Sequence, residues 1–175
     1  MSEGIPAPEE AIERYVPDRT LPPYRYVPGL NPHPFRNPAG HMYTDGSAPD
    51  EPDWDSNQNA LTDSSFLWGV DLFNHRYFWE SHEAWEALWH QVDRTDPRSD
   101  LLQGLIQAGA FVLQRHRGKQ GPSDRLFNAS MTRLKNAHNA AGAVCYGVDL
   151  PNTMDQLSTF HKGGYWPVIV LQRTR

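Results

Sequence analysis

Cysteine is almost absent from this chain: Cys145 is the only one in 175 residues. An internal disulfide, a Cys-based metal cluster and a Cys-x-x-Cys redox pair are therefore excluded, and any metal would have to be held by His, carboxylates or Gln. Long apolar runs are also missing, since no stretch approaches the roughly 18 to 20 uninterrupted apolar residues that a membrane helix needs. Basic residues are in the minority, 16 Lys and Arg against 21 Asp and Glu, for a formal net charge of -5. They form no block able to track a phosphate backbone, so nucleic acid is not an expected partner. The opening segment, Met1 to Glu13, is acidic where a signal peptide would be basic and then apolar. A cytoplasmic location is the expectation.

Proline is plentiful but unevenly placed: eleven of the fifteen lie before residue 55. Each removes a backbone donor and biases its predecessor to extended geometry, so residues 1–60 are expected to form an irregular arm. Tyr24, Tyr26, Phe35 and Tyr43 give that arm apolar surface that a disordered tail lacks, and it is expected to wrap over a helical domain at 61–175. Six Trp, seven Tyr and seven Phe in the whole chain suffice for one real core.

The fold class expected is all-α, a compact antiparallel bundle or array of about four to six helices. A first helix, capped by Ser64 or Ser65, runs to about Asn74, and a second spans Tyr77 to Gln91. After a loop at Asp93 to Pro97, Ser99 or Asp100 opens a third. Its Leu101, Leu105, Ala108 and Val112 recur at helical spacing before Gly118 stops it. A fourth has Pro122 in its first turn and runs toward Ala141. Pro151 opens a short helix to about His161, and Val168 to Leu171 read as a short strand or a docked tail.

The second helix carries the candidate chemistry. Phe78, His82, Trp85, Glu86 and Trp89 share one side of it, and Glu80 and Glu83 are expected in solvent. His82 and Glu86, one turn apart, can converge on a third group. One reading is the floor of a pocket, as two ligands for a divalent metal such as zinc or as an acid-base couple, with Trp85 and Trp89 as walls. The other is a structural hydrogen bond between helices. His82-Glu83-Ala84-Trp85-Glu86 departs from the zinc-protease pattern H-E-x-x-H at its last position, so a zinc protease is not expected.

Further ligands would come from His33 and His41 in the proline-framed run from Pro32 to His41, although loop histidines often only bond backbone carbonyls. His75, His90, His116, His138 and His161 read as helix-end or solvent-facing. Gln107 on the third helix could reach the His82 region, and Gly104 with Ala108 would let another helix come close.

Leu72-Phe73-Asn74, Tyr77, His82-Glu83-Ala84-Trp85-Glu86-Ala87-Leu88-Trp89 and Leu102-Gln103-Gly104-Leu105-Ile106-Gln107 together resemble the domain of unknown function 309 family over about residues 65–140. The resemblance implies a compact helical fold and a shared polar motif at His82, Glu86 and Trp89, but no established activity. The departure from the family is His75-Arg76 before Tyr77, where a Gly-containing turn is expected. The residues thus point to a metal or small-molecule site at His82 and Glu86, with Trp85, Trp89, Gln107 and Tyr77 as pocket residues and metal-assisted or acid-base hydrolysis as the chemistry. The contrasting expectation is a non-catalytic module that binds another protein, and a homodimer is compatible with either.

Overall fold

The computed structural model describes residues 3–45 and 63–172. The expected end of the arm near residue 60 lies outside them. Five helices are present among the described residues: α1 Ser64–Asn74, α2 Phe78–Trp89, α3 Pro97–His116, α4 Gln120–Ala141 and α5 Leu150–His161. Between α4 and α5 sits a two-stranded antiparallel ladder, β1 Val144–Cys145 with β2 Val148–Asp149, which sequence periodicity is too short to reveal. Its turn places Tyr146 at φ 49° and Gly147 at φ 78°, the paired left-handed geometry of a two-residue hairpin. The fold is otherwise all-α as expected, and no helix among the described residues is long and apolar enough to cross a membrane.

Two helix starts differ from expectation, both through an aspartate. Asp63, not Ser64 or Ser65, caps α1, and its Oδ1 accepts the N–H groups of Ser65 and Phe66 at 3.0 Å each. Asp96 caps α3 by accepting Arg98 N–H at 2.8 Å, so Pro97 is the first helical residue and not the end of a loop. A proline is tolerated there because the first turn has no partner for its N–H.

Helices α1, α2, α3 and α4 pack in sequence, each on the next. Their common core includes Phe66, Phe73, Phe78, Trp85, Leu105, Phe111 and Leu134. Trp85 fixes the first of these contacts. Its indole lies in the notch left by Gly69 of α1, where a Cβ would stand 2.2 Å from Nε1, and it donates to Phe66 O at 3.3 Å. Gly104 admits α4 as expected: Ser130 Oγ donates to its carbonyl at 2.7 Å and Leu134 packs on its Cα.

The turn between α1 and α2 explains the departure seen at His75-Arg76. Arg76 N–H donates to Phe73 O and Tyr77 N–H to Leu72 O, a Schellman closure, with Arg76 at φ 67° in the position that glycine usually fills. The strain is offset by the side chain, which donates to the carbonyls of Pro6 and Ala7 and stacks on Trp166 at 4.9 Å.

Described arm residues dock on this body through polar anchors. Asp71, 1 % exposed within α1, accepts the N–H groups of Tyr15 and Val16 at 2.8 Å each, with Arg14 Nε at 3.6 Å. Val27 is fully buried in the main core. At the other end of the chain, Asn74 exchanges two bonds with the backbone of Ile169, and Leu171 bridges to Val148, so the 168–171 run is a docked tail with one bridge. Asp71→Ala leaves two arm N–H groups without acceptors and should cost on the order of 2 to 4 kcal/mol. Thermal melting together with limited proteolysis checks this: the arm should become the first site of cleavage, and an unchanged melt with an unchanged cleavage pattern would contradict the anchoring role.

Candidate functional site

The helical register of α2 divides its polar residues between two sides. Trp85 is turned fully into the core, which leaves His82 and Glu86 at the polar edge of the apolar stripe. His82 Nδ1 lies 3.2 Å from Ile106 O on α3. With a carbonyl as partner, Nδ1 carries the proton and Nε2 presents its lone pair. That lone pair faces two carboxylates, Glu83 Oε1 at 3.9 Å and Glu86 Oε2 at 3.7 Å. One ligand atom from each of the three lies within 4.8 Å of the others. Burial raises the pKa of Glu83, which His82 opposes and Glu86 reinforces.

The expected histidine ligands are elsewhere. Glu80 lies two residues before His82, about 200° around the helix, and therefore on the opposite side. His41 meets Glu80 there: its Nε2 stands 3.4 Å from Glu80 Oε1, with side-chain exposures of 5 % and 2 %. His33 Nδ1 accepts Phe35 N–H at 3.3 Å, and its ring packs on Tyr26 and Trp79. Neither histidine belongs to the three-residue cluster on His82.

The other expected pocket residues are also placed differently. Trp85 is fully buried in the core. Trp89 donates to Ser99 Oγ at 3.2 Å and carries Arg94 over its ring at 3.5 Å. Tyr77 is buried against Trp68 and Leu72 and donates its hydroxyl to Pro22 O at 2.9 Å. Gln107 follows Ile106 on α3, and its Oε1 is buried without a partner among the described residues.

Sequence reasoning missed Glu80, which was expected in solvent and is 3 % exposed. It is buried because the arm covers it: Tyr26 N–H donates to Oε1 at 3.0 Å, and the loop that carries His41 closes over it. That loop can only close at a glycine, since a Cβ on Gly40 would stand 2.2 Å from Pro34 O. A cleft of about 810 Å³ lies between arm, α1 and α2, with Glu80 and His41 in its lining and Glu83 and Glu86 on the side nearest His82. Burial pushes the Glu80 carboxyl up to about 7, against the pull of its backbone hydrogen bonds and of Arg25, while burial lowers the pKa of His41.

The pH dependence of stability follows from that carboxyl, which is faced by His41 and Arg25 from the arm and by Glu83 from its own helix. Because its pKa is raised above the unfolded value of 4.5, its contribution is full below 4.5 and is lost as pH rises through about 7. Measured by denaturant titration, the stability of wild type relative to Glu80→Gln should fall by up to about 3 kcal/mol between about pH 5 and about pH 8. A difference that stays flat with pH, or rises, would show that Glu80 is not a buried carboxyl of this kind.

Comparison with curated proteins finds no match for the chain. Residues 66–126 match the family model described as Domain of unknown function (DUF309). The matched segment runs from α1 into the first turns of α4 and carries Glu80 with the whole His82, Glu83 and Glu86 cluster; the arm residues Tyr26 and His41 lie outside it. Over this helical segment, about a third of the chain, the protein is similar to the domain of unknown function 309 family.

Proposed function

We propose that His82, Glu83 and Glu86 bind a divalent cation such as zinc at the edge of the cleft. The observation that carries this reading is the direction of the His82 ring. Its Nδ1 is committed to Ile106 O, so Nε2 turns a lone pair toward two carboxylate oxygens at 3.9 and 3.7 Å. Three electron-rich atoms facing one another repel unless a cation or a proton sits among them. Histidine fixed through its other nitrogen by a carbonyl, with carboxylates beside it, is the ordinary surrounding of a protein-bound zinc ion.

A cation held by three protein ligands keeps a coordination position open and lowers the pKa of water bound there, which is the chemistry of metal-assisted hydrolysis. The adjacent cleft supplies room for a small-molecule substrate. A second reading, in which His82 and Glu86 are a structural pair within a protein-interaction module, draws support from the bond that ties His82 on α2 to Ile106 on α3. The exposure of the pair weighs against it: the side chains of His82 and Glu86 are 27 % and 42 % exposed, a setting in which an ion pair contributes at most about 1 kcal/mol.

Elemental analysis by mass spectrometry on zinc-loaded, desalted protein tests the site. Wild type should retain about one ion per chain, and the double variant His82→Ala, Glu86→Ala should lose it with a stability change of about 1 kcal/mol or less. Absence of metal from loaded wild type, or equal retention by the variant, would remove the cation reading. A loss of several kcal/mol in the variant without a change in metal content would favour the structural pair.

A further inference from the structure

The floor of the cleft holds polar atoms that the cation site does not use. Glu80 Oε2 and both ring nitrogens of His41 are buried and have no hydrogen-bond partner among the described residues. Glu80 Oε1 accepts Tyr26 N–H at 3.0 Å and stands 3.4 Å from His41 Nε2, which leaves Oε2 as the spare acceptor. A buried polar group left unpaired is costly, and a ligand that supplies the missing partner removes that cost on binding. The terminal torsion of a glutamate is broad, so a small turn of the carboxyl presents Oε2 to an occupant of the cleft.

Above this floor the walls are apolar, built from Leu21, Phe35 and Met42 of the arm, Trp68 and Leu72 of α1 and Ala87 of α2. The volume of about 810 Å³ falls within the roughly 300 to 1,000 Å³ usual for small-molecule sites. Glu83 and Glu86 continue the acidic side of α2 beyond Glu80, whereas the Arg19 guanidinium in the lining is already stacked on Trp68 at 4.7 Å. Charge on the wall therefore disfavours an anionic head group and favours a donor.

We propose that this cleft binds a small molecule with a flat apolar body and a nitrogen head group that donates N–H to Glu80 Oε2, with His41 as the second hydrogen-bonding partner of that head. The site needs the arm as well as the family segment, because Glu80 comes from α2 and His41 from the 33–41 loop. The proposed cation does not use Glu80 or His41, and its ligands Glu83 and Glu86 line another part of the same cleft.

The test uses the full chain treated with a chelator, so that its outcome does not depend on the cation site. Benzamidine, benzamide and benzoate are titrated at one fixed pH, and binding is read by saturation-transfer NMR and by the indole N–H shift of Trp68. These probes share one body and differ only in the head. The two nitrogen probes should bind, with benzoate weaker by roughly tenfold or more.

In Glu80→Gln the amide oxygen can still accept from Tyr26 while the amide N–H faces the cleft, so the order of preference should reverse. Ala87→Trp fills the cleft without touching Glu80 and should abolish binding of the nitrogen probes, which keeps the proposal decidable if Glu80→Gln does not fold. No binding of either nitrogen probe to wild type would overturn the proposal. So would benzoate binding as tightly as they do, or nitrogen-probe binding unaffected by Ala87→Trp.

Discussion

The seating of Trp85 against Gly69 sets the rest of the structure. A single indole pressed onto the backbone of the neighbouring helix brings α1 and α2 closer than side chains normally allow, and it fixes the rotation of α2 about its own axis. Once Trp85 is inward, the helical repeat leaves no freedom for the others: Glu80 must face the arm, His82 must face α3, and Glu83 and Glu86 must stand between them. Packing geometry on one side of the helix thus dictates the electrostatics on the other. The two polar groupings described above are consequences of one core contact.

Much of the scaffold is written in local sequence. Apolar residues at helical spacing mark α1 to α4, and Pro122 and Pro151 mark helix entries. What local reading misjudges is competition between neighbouring signals. Ser64 and Ser65 look like caps, yet Asp63 offers a carboxylate one residue earlier, and Asp96 turns an apparent loop proline into the first residue of α3. The β1–β2 hairpin is too short for any period to register.

The site is less legible, for a physical reason. A helical wheel assigns Glu80 to solvent because it knows only α2, whereas the burial of that carboxyl is caused by Tyr26 and His41, separated from it by 54 and 39 positions along the chain. The identity of the His82 cluster was readable at two positions, His82 and Glu86. Its third member, Glu83, needed the direction of the imidazole, which is set by a carbonyl on another helix. The arm histidines looked like ligands for His82 because sequence cannot say which side of a helix a loop will cover.

That covering loop gives the cleft a divided origin. One wall belongs to a helical segment shared with a family, and the other is supplied by a tethered extension, held by Asp71 and Glu80 much as a peptide is held by a receptor. Because the extension is covalently attached, it docks at a high effective concentration. Occupancy of the cleft and closure of the arm are therefore linked equilibria, so that a molecule filling the space between them tightens the arm by the same free energy with which the docked arm tightens it.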